Sequence, residues 1–265
     1  VLTATKKYSS AFYDETLLTS MRSANEVVPL ILDLTGAKSV IDLGCGTASW
    51  LHVFQKNGVE RVCGVDRDSL SKANLQIDAA NMVQRDLTED LNIGETFDLS
   101  TCLEVAEHLP AECAAKIVDN LTQLAPMVLF SAAIPHQGGT NHINEQWPEY
   151  WAQLFAAKGY RVVDCVRDAI WQNEDVAYWY AQNLLLYVRE DVLAANERLS
   201  EMAKMTNPAR LTLVHPKVYI KNYKTLRSPK VFLMRTLWNC LPRVIRLRLV
   251  KPLSEMIWKQ VSTKY

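Results

Sequence analysis

Nine residues, Val40-Ile41-Asp42-Leu43-Gly44-Cys45-Gly46-Thr47-Ala48, restrict this chain more than any others. An apolar run meets an aspartate, bends through Gly-x-Gly and passes straight into a helix. Glycine lets the backbone approach a ligand because no Cβ stands in the way. The helix that follows presents unpaired amides at its start to polar ligand groups. Such a unit belongs at the rim of a parallel sheet, and the rest of the chain agrees. Short β-branched or apolar runs recur at 39–43, 61–65, 82–85, 98–103, 127–132, 161–166 and 184–188. Helical patterns lie at 17–35, with Pro29 a candidate kink, and at 50–57, 111–124 and 148–158. This alternation predicts an α/β fold: a doubly wound, seven-stranded, mostly parallel sheet with helices on both faces. Val128–Phe130 is continuously apolar, as suits a strand covered on both sides.

After residue 190 the pattern changes. Residues 191–205 read as helical and 206–230 as mixed, with prolines at 208, 216 and 229. Across 231–261, Met234, Leu237, Trp238, Leu241, Val244 and Ile245 fall at helical spacing, interrupted by Pro242. The expected organisation is a catalytic domain over 1–190 and a basic helical C-terminal extension over 191–265. Formal charge is zero, which disfavours a surface built wholly for nucleic acid, but the charges are unevenly spread. From His215 onward twelve Lys or Arg face one acid, Glu255, so the remainder is net acidic by about 11. Six cysteines without a CxxC pair read as reduced thiols of an intracellular protein. No apolar stretch approaches the roughly 20 residues that span a bilayer and no signal peptide opens the chain, so a cytoplasmic location is expected. The first residue is Val1 rather than Met, as in a trimmed chain or a piece of a longer one.

Twenty residues beyond Gly46, Asp66 ends the second strand run, and Asp86 ends the third. An acid at the tip of the second strand is a bidentate acceptor for the two hydroxyls of a ribose. A nicotinamide-binding protein shares that acid and the glycine turn. Asp42 before the glycines, Asp86, and Phe97-Asp98-Leu99 leading into strand four favour another cofactor. Together these residues resemble the motifs of class I S-adenosylmethionine-dependent methyltransferases, over roughly residues 20–190. The resemblance implies a Rossmann-like methyltransferase fold that binds S-adenosylmethionine. Gly44 and Gly46 would line the methionine portion, Asp66 would hold the ribose, and Asp86 would accept from the adenine amino group beside Leu87. Asp42, Cys45, Arg67 and Leu103 would complete the cofactor-binding set. Ala48 departs from the family by standing where a third glycine is usual. The bland alternative is that Asp42, Asp66 and Asp86 merely cap strand ends and turns.

The fourth strand leads into Leu103-Glu104-Val105-Ala106-Glu107-His108. Glu104, Glu107 and His108 stand at i, i+3 and i+4, and a helical turn would project all three to one side. His136 and His142 follow strand five, so three of five histidines fall on two loops at one rim of the sheet. Glu-x-x-Glu-His, with a histidine ahead of a Trp-bearing helix, resembles the metal site of small-RNA 2′-O-methyltransferases and a related sequence in ubiquinone-pathway O-methyltransferases. The resemblance implies one divalent ion, Mg²⁺, Mn²⁺ or Zn²⁺, on Glu104, Glu107, His108 and His142. Two further readings stay open: a metal-free site with His108 or His142 as general base, and purely structural roles.

His136 either meets substrate or is solvated. Trp147, Tyr150, Trp151 and Phe155 form a helical stripe expected in the core. Trp171, Trp179 and Tyr180 either wall an acceptor pocket or pack on the core. Tyr8, Phe12, Tyr13 and Arg22 precede the first strand, where related enzymes place a helix over the cofactor. The basic tail has three readings: packing on this or a second copy, giving a homodimer; peripheral contact with an anionic membrane; or contact with nucleic acid. The expected activity is O-methylation of a small-molecule or glycan hydroxyl. RNA 2′-O-methylation is the alternative among enzymes. A non-catalytic cofactor-binding regulatory subunit is the other, and intact Glu104, Glu107, His108 and His142 argue against it.

Overall fold

The computed structural model describes residues 10–67 and 74–227. Tyr8, the side chains of Phe12 and Tyr13, and the predicted helix of 231–261 lie outside them. The first helix, α1 (Ser10–Thr35), begins earlier than the pattern predicts and runs on past Pro29. Ala24, Val27, Val28 and Ile31 recur three or four residues apart and are wholly buried, so one stripe of α1 faces the core. The helix ends where Gly36 takes φ +63° and its amide returns to the Leu32 carbonyl at 2.8 Å.

Then the strands follow: β1 (Ser39–Leu43), β2 (Arg61–Asp66), β3 (Met82–Gln84), β4 (Leu99–Leu103), β5 (Met127–Ser131), β6 (Tyr160–Val163) and β7 (Leu185–Arg189). They form one seven-stranded sheet in the order β3-β2-β1-β4-β5-β7-β6. Only β7 runs against its neighbours, pairing antiparallel with β5 and β6. Because successive strand residues point to opposite faces, Val40 and Leu99 join one core cluster while Ile41 and Cys102 join the other. The first cluster is covered by α1 and α2 (Ser49–Lys56), and by α6 (Tyr178–Asn183) through Tyr180 and Ala181. On the other face Ile117, Val118 and Leu121 of α3 (Ala114–Leu124) pack beside Trp151 and Phe155 of α4 (Pro148–Ala156). Strand order reverses between β1 and β4, and ligands of open α/β sheets bind in the crevice at such a switch point.

Residues 111–124, read as one helix, divide into a 3₁₀ turn over Ala111–Cys113 and α3. The strand expected at 161–166 ends at Val163, because α5 (Arg167–Ile170) takes Val166 as its N-cap. Residues 191–205 hold two helices, α7 (Glu190–Ala195) and α8 (Glu197–Met205). Asn196 breaks the run: its side chain caps α8 by accepting from the Leu199 amide at 3.0 Å. Leu193, Leu199 and Ala203 still join the first core cluster. Beyond them, α9 (Pro216–Leu226) starts with Pro at its first turn and His215 as its cap. Among the described residues all five cysteines are free thiols, and no helix is long and apolar enough to cross a membrane.

Candidate active site

The bend after β1 is built from backbone. Gly44 takes φ +81°, Gly46 +52° and Ala48 +61°. Ala48, where a third glycine was usual, therefore adopts the left-handed conformation itself, fully buried at the start of α2. A methyl is the smallest side chain that can bear that cost. Gly44 has a second constraint: a Cβ there would stand 2.6 Å from both Val105 methyls. That contact presses the loop after β4 directly onto the bend. Gly46 differs, since among the described residues a Cβ there would meet nothing within 4 Å, leaving open space above it.

Asp66, at the tip of β2, accepts from the Gly46 amide through Oδ2 at 2.9 Å, which ties the two neighbouring strand ends together. Asp86 accepts from the amide and hydroxyl of Thr88 through Oδ1, at 2.9 and 2.8 Å. Those bonds hold its carboxyl below the usual range, and Leu87 beside it is buried. Asp42 lies under the bend rather than facing it, 3% exposed, and accepts from Thr101 Oγ1 of β4 at 2.6 Å. Burial, opposed by that bond and reinforced by the charge of Asp66, pushes its pKa up to about 7. Cys45 packs its sulfur toward Met82, and burial pushes its thiol well up. Leu103 is buried in the first core cluster, whereas Arg67 is exposed, its carbonyl accepting from Gln84 at 3.0 Å.

Beyond β4 the chain does not turn helically from Glu104. Glu104 takes φ +56°, and the next helical residues are the 3₁₀ turn Ala106–His108. Glu107, His108 and His142 converge, one ligand atom of each lying within 4.8 Å of the others. Glu104 is not among those three. Its two oxygens accept from Asn183 Nδ2 and Gln137 Nε2, at 3.0 and 3.1 Å. The set of four read from the sequence thus becomes a cluster of three beside a hydrogen-bonded glutamate.

The cluster is buried and short of partners. Glu107 is 0% exposed, and neither carboxylate oxygen has a well-formed hydrogen bond; His108 Nδ1 is likewise buried without one. Burial, then the charge of Glu104, pushes the Glu107 carboxyl well above its ordinary range. His108 moves the other way, down to about 4, through burial and the neighbouring His142. The two imidazoles meet edge to face, centroids 4.9 Å apart.

His142 is held by a residue that sequence reasoning missed. Its Nδ1 lies 3.0 Å from Glu145 Oε1, and its Nε2 points toward Glu107 at 4.0 Å. With Nδ1–H donated to Glu145, Nε2 carries the lone pair. Glu145 also accepts from the amides of His136 and Gly138, both at 2.8 Å. Burial raises the Glu145 carboxyl, but these bonds outweigh it and leave it below its usual range. The signal available was the spacing, three residues after His142. Gly139 matters equally: a Cβ there would fall 2.1 Å from His142 Nε2. His136 contributes backbone to this loop, at φ +71°.

Of the aromatic candidates, Trp151, Phe155 and Tyr180 are core, Trp147 is 42% exposed, and Tyr180 packs edge-on to Trp50 at 5.1 Å. Trp179 packs against the first core cluster, and Trp171 lies against His215, centroids 4.8 Å apart. Arg22 pairs with Asp175, joining α1 to the segment before α6.

A family model described as a methyltransferase domain matches residues 22–164, more than half of the chain. The ubiquinone biosynthesis O-methyltransferase of Neisseria meningitidis is 34% identical over 108 residues, covering 37% of this chain and 45% of that protein. The match therefore spans less than half the length of that curated relative. An O-methyltransferase family protein from Burkholderia thailandensis superposes with a TM-score of 0.55 at 16% identity, over 68% of this chain and 58% of that one. Magnesium protoporphyrin IX methyltransferase from Synechocystis, with bound SAH, gives 0.51 at 19%, over 70% and 90%. At such identities these two likenesses establish the fold.

Proposed function

The chain belongs to the methyltransferase-domain family, and from that premise we propose that it methylates a hydroxyl of a small molecule or sugar at the Glu107–His108–His142 cluster. It is an S-adenosylmethionine-dependent methyltransferase of the Rossmann-like class. The sulfonium of that donor supplies an electrophilic methyl group to an acceptor held in line with it. In this reading the open space above Gly46, with Asp66 at its edge, receives the donor, and Asp86 and Leu87 face its base.

One observation carries the acceptor side: a wholly buried carboxylate short of well-formed hydrogen bonds, beside two imidazoles. A buried charge is costly unless paired, and the usual resolutions are a bound cation or a bound proton. The donor set fits a divalent ion, with Glu107, His108 and His142 Nε2 as ligands and Glu145 orienting His142 from behind. A cation there would lower the pKa of an acceptor hydroxyl and orient its oxygen. Glu104 stands beside the ligands and holds Asn183 and Gln137 in place.

The bond between His142 Nδ1 and Glu145 supports a second reading, in which no metal binds. His142 Nε2 then takes the proton from the acceptor oxygen as that oxygen attacks the methyl, while Glu145 stabilises the imidazolium. The test is an acceptor screen with radiolabelled methyl donor across sugars, phenols and RNA, with and without chelator. The expected result is a methyl ether on a sugar or phenol, abolished by chelator and restored by Mg²⁺ or Mn²⁺. Full turnover in excess chelator discards the metal and keeps the His142 base. Labelling confined to RNA overturns the acceptor class.

A further inference from the structure

Helix α9 presents a face that the described fold leaves open. Tyr219, Ile220, Tyr223 and Leu226 share one stripe and are 66, 47, 47 and 63% exposed. The rings of Tyr219 and Tyr223 are nearly parallel, 16° apart. Leu213 and Val214, also exposed, extend the apolar surface ahead of the helix. Lys217, Lys224 and Arg227, all exposed, run along its flank, and the Arg227 guanidinium lies over the Tyr223 ring at 5.4 Å. The opposite side of α9 is seated. Val218 is buried, Lys221 Nζ donates to the Gln137 carbonyl at 3.3 Å, and Asn222 Nδ2 donates to the His136 carbonyl at 2.9 Å.

A contiguous stripe of large apolar side chains marks a contact site, and charge decides among occupants. From Ser228 to Tyr265 the chain carries eight Lys or Arg and a single acid, Glu255. Laid on the stripe, that segment would set like charge against Lys217, Lys224 and Arg227. Nucleic acid would satisfy those cations and leave Ile220 and Leu226 in water. An anionic lipid surface answers both needs: headgroups meet the basic flank, and the acyl boundary takes the apolar stripe, with tyrosines suited to the interface between them. We propose that α9 docks this chain on an anionic lipid surface through Tyr219, Ile220, Tyr223 and Leu226, with Lys217, Lys224 and Arg227 against the headgroups. The seated side of the same helix grips the loop that carries His142 and Glu145. Docking therefore holds that loop about one helix diameter from the lipid.

The test needs no turnover and so stands apart from the acceptor assignment. The full chain is co-sedimented with vesicles of phosphatidylcholine alone and with vesicles one-third phosphatidylglycerol. Binding is expected on the anionic vesicles and not on the neutral ones. Tyr223→Ser with Leu226→Ser, and separately Lys217→Glu with Lys224→Glu, are each expected to weaken it at least tenfold. Unchanged calorimetric binding of S-adenosylmethionine verifies that both variants fold. Absence of vesicle binding by the parent chain, or equal binding by the variants, overturns the proposal. It is equally overturned if these substitutions abolish RNA binding or a dimer while vesicle binding persists.

Discussion

The bend after β1 and the cluster beyond β4 lie on neighbouring strands, yet they are made of different material. The bend is backbone: three left-handed residues, an open space above Gly46 among the described residues, and a carboxylate that accepts from the Gly46 amide. The cluster is side chain: a glutamate and two histidines from two loops, with buried atoms that lack partners. Backbone can grip a donor whose shape is constant, while ionisable side chains are needed where charge develops and protons move. The two parts touch where Val105 presses on Gly44. The comparison predicts that changes in one part alter donor affinity and changes in the other alter turnover, with little exchange between them.

The largest effect is expected from Glu107→Gln. It should lower kcat by about a thousandfold, as losing a charged catalytic group commonly does, and leave calorimetric affinity for S-adenosylmethionine unchanged. A parallel loss of donor affinity would show that the parts act as one. Next is Gly139→Ala. Its Cβ would clash with the His142 ring, 2.1 Å from Nε2, so turnover should fall about a hundredfold with donor affinity again intact, a misplacement effect. The reverse dissociation is expected of Asp66→Ala, which should weaken donor binding about tenfold to a hundredfold, the range for a bond to a charged group. In that variant kcat at saturating donor should be retained within a fewfold.

The last effect is read on stability rather than on turnover or donor affinity. Asp42 has its pKa raised in the fold to about 7, against about 4 in an unfolded chain. Between those values the folded state keeps a proton that the unfolded state releases. Stability contributed by the protonated form is thus present below about pH 4 and is lost as pH rises toward 7, by up to ~1.4 kcal/mol per unit. Asp42→Asn should flatten that part of a melting-temperature profile and keep the bond from Thr101. An unaltered profile would place the slope elsewhere.

Much of this is legible in the sequence, and the reason is locality. Periodicity located all seven strands within a few residues, because apolar runs between turn residues have few other uses in an α/β chain. Cofactor candidates were legible because Asp42, Gly44 and Gly46 lie within one turn, and Asp66 follows at the next strand tip. Residues placed by loop shape, by a capping bond or by contacts across long separations were not. Glu145 looks like an ordinary loop acid until the bend of 136–145 brings its oxygens to two amides and an imidazole. Asn183 and Gln137 have no pattern at all, and only folding sets them on Glu104. The two-helix break at Asn196 depended on a capping bond that helical spacing does not encode.

The amino-acid order alone determined a mostly parallel α/β sheet with a glycine bend at its first strand and a row of acids at successive strand tips. Those features are set by short-range sterics and by which residues avoid water. Tertiary structure decided which of the acids and histidines meet. Beyond the left-handed turn at Glu104, that glutamate was left bonded to Asn183 and Gln137 beside the cluster, and Gly139 made room for His142 to face Glu107. Such choices arise from contacts between segments some 35 residues apart, as between Glu107 and His142, where packing, rather than local preference, settles the backbone angles.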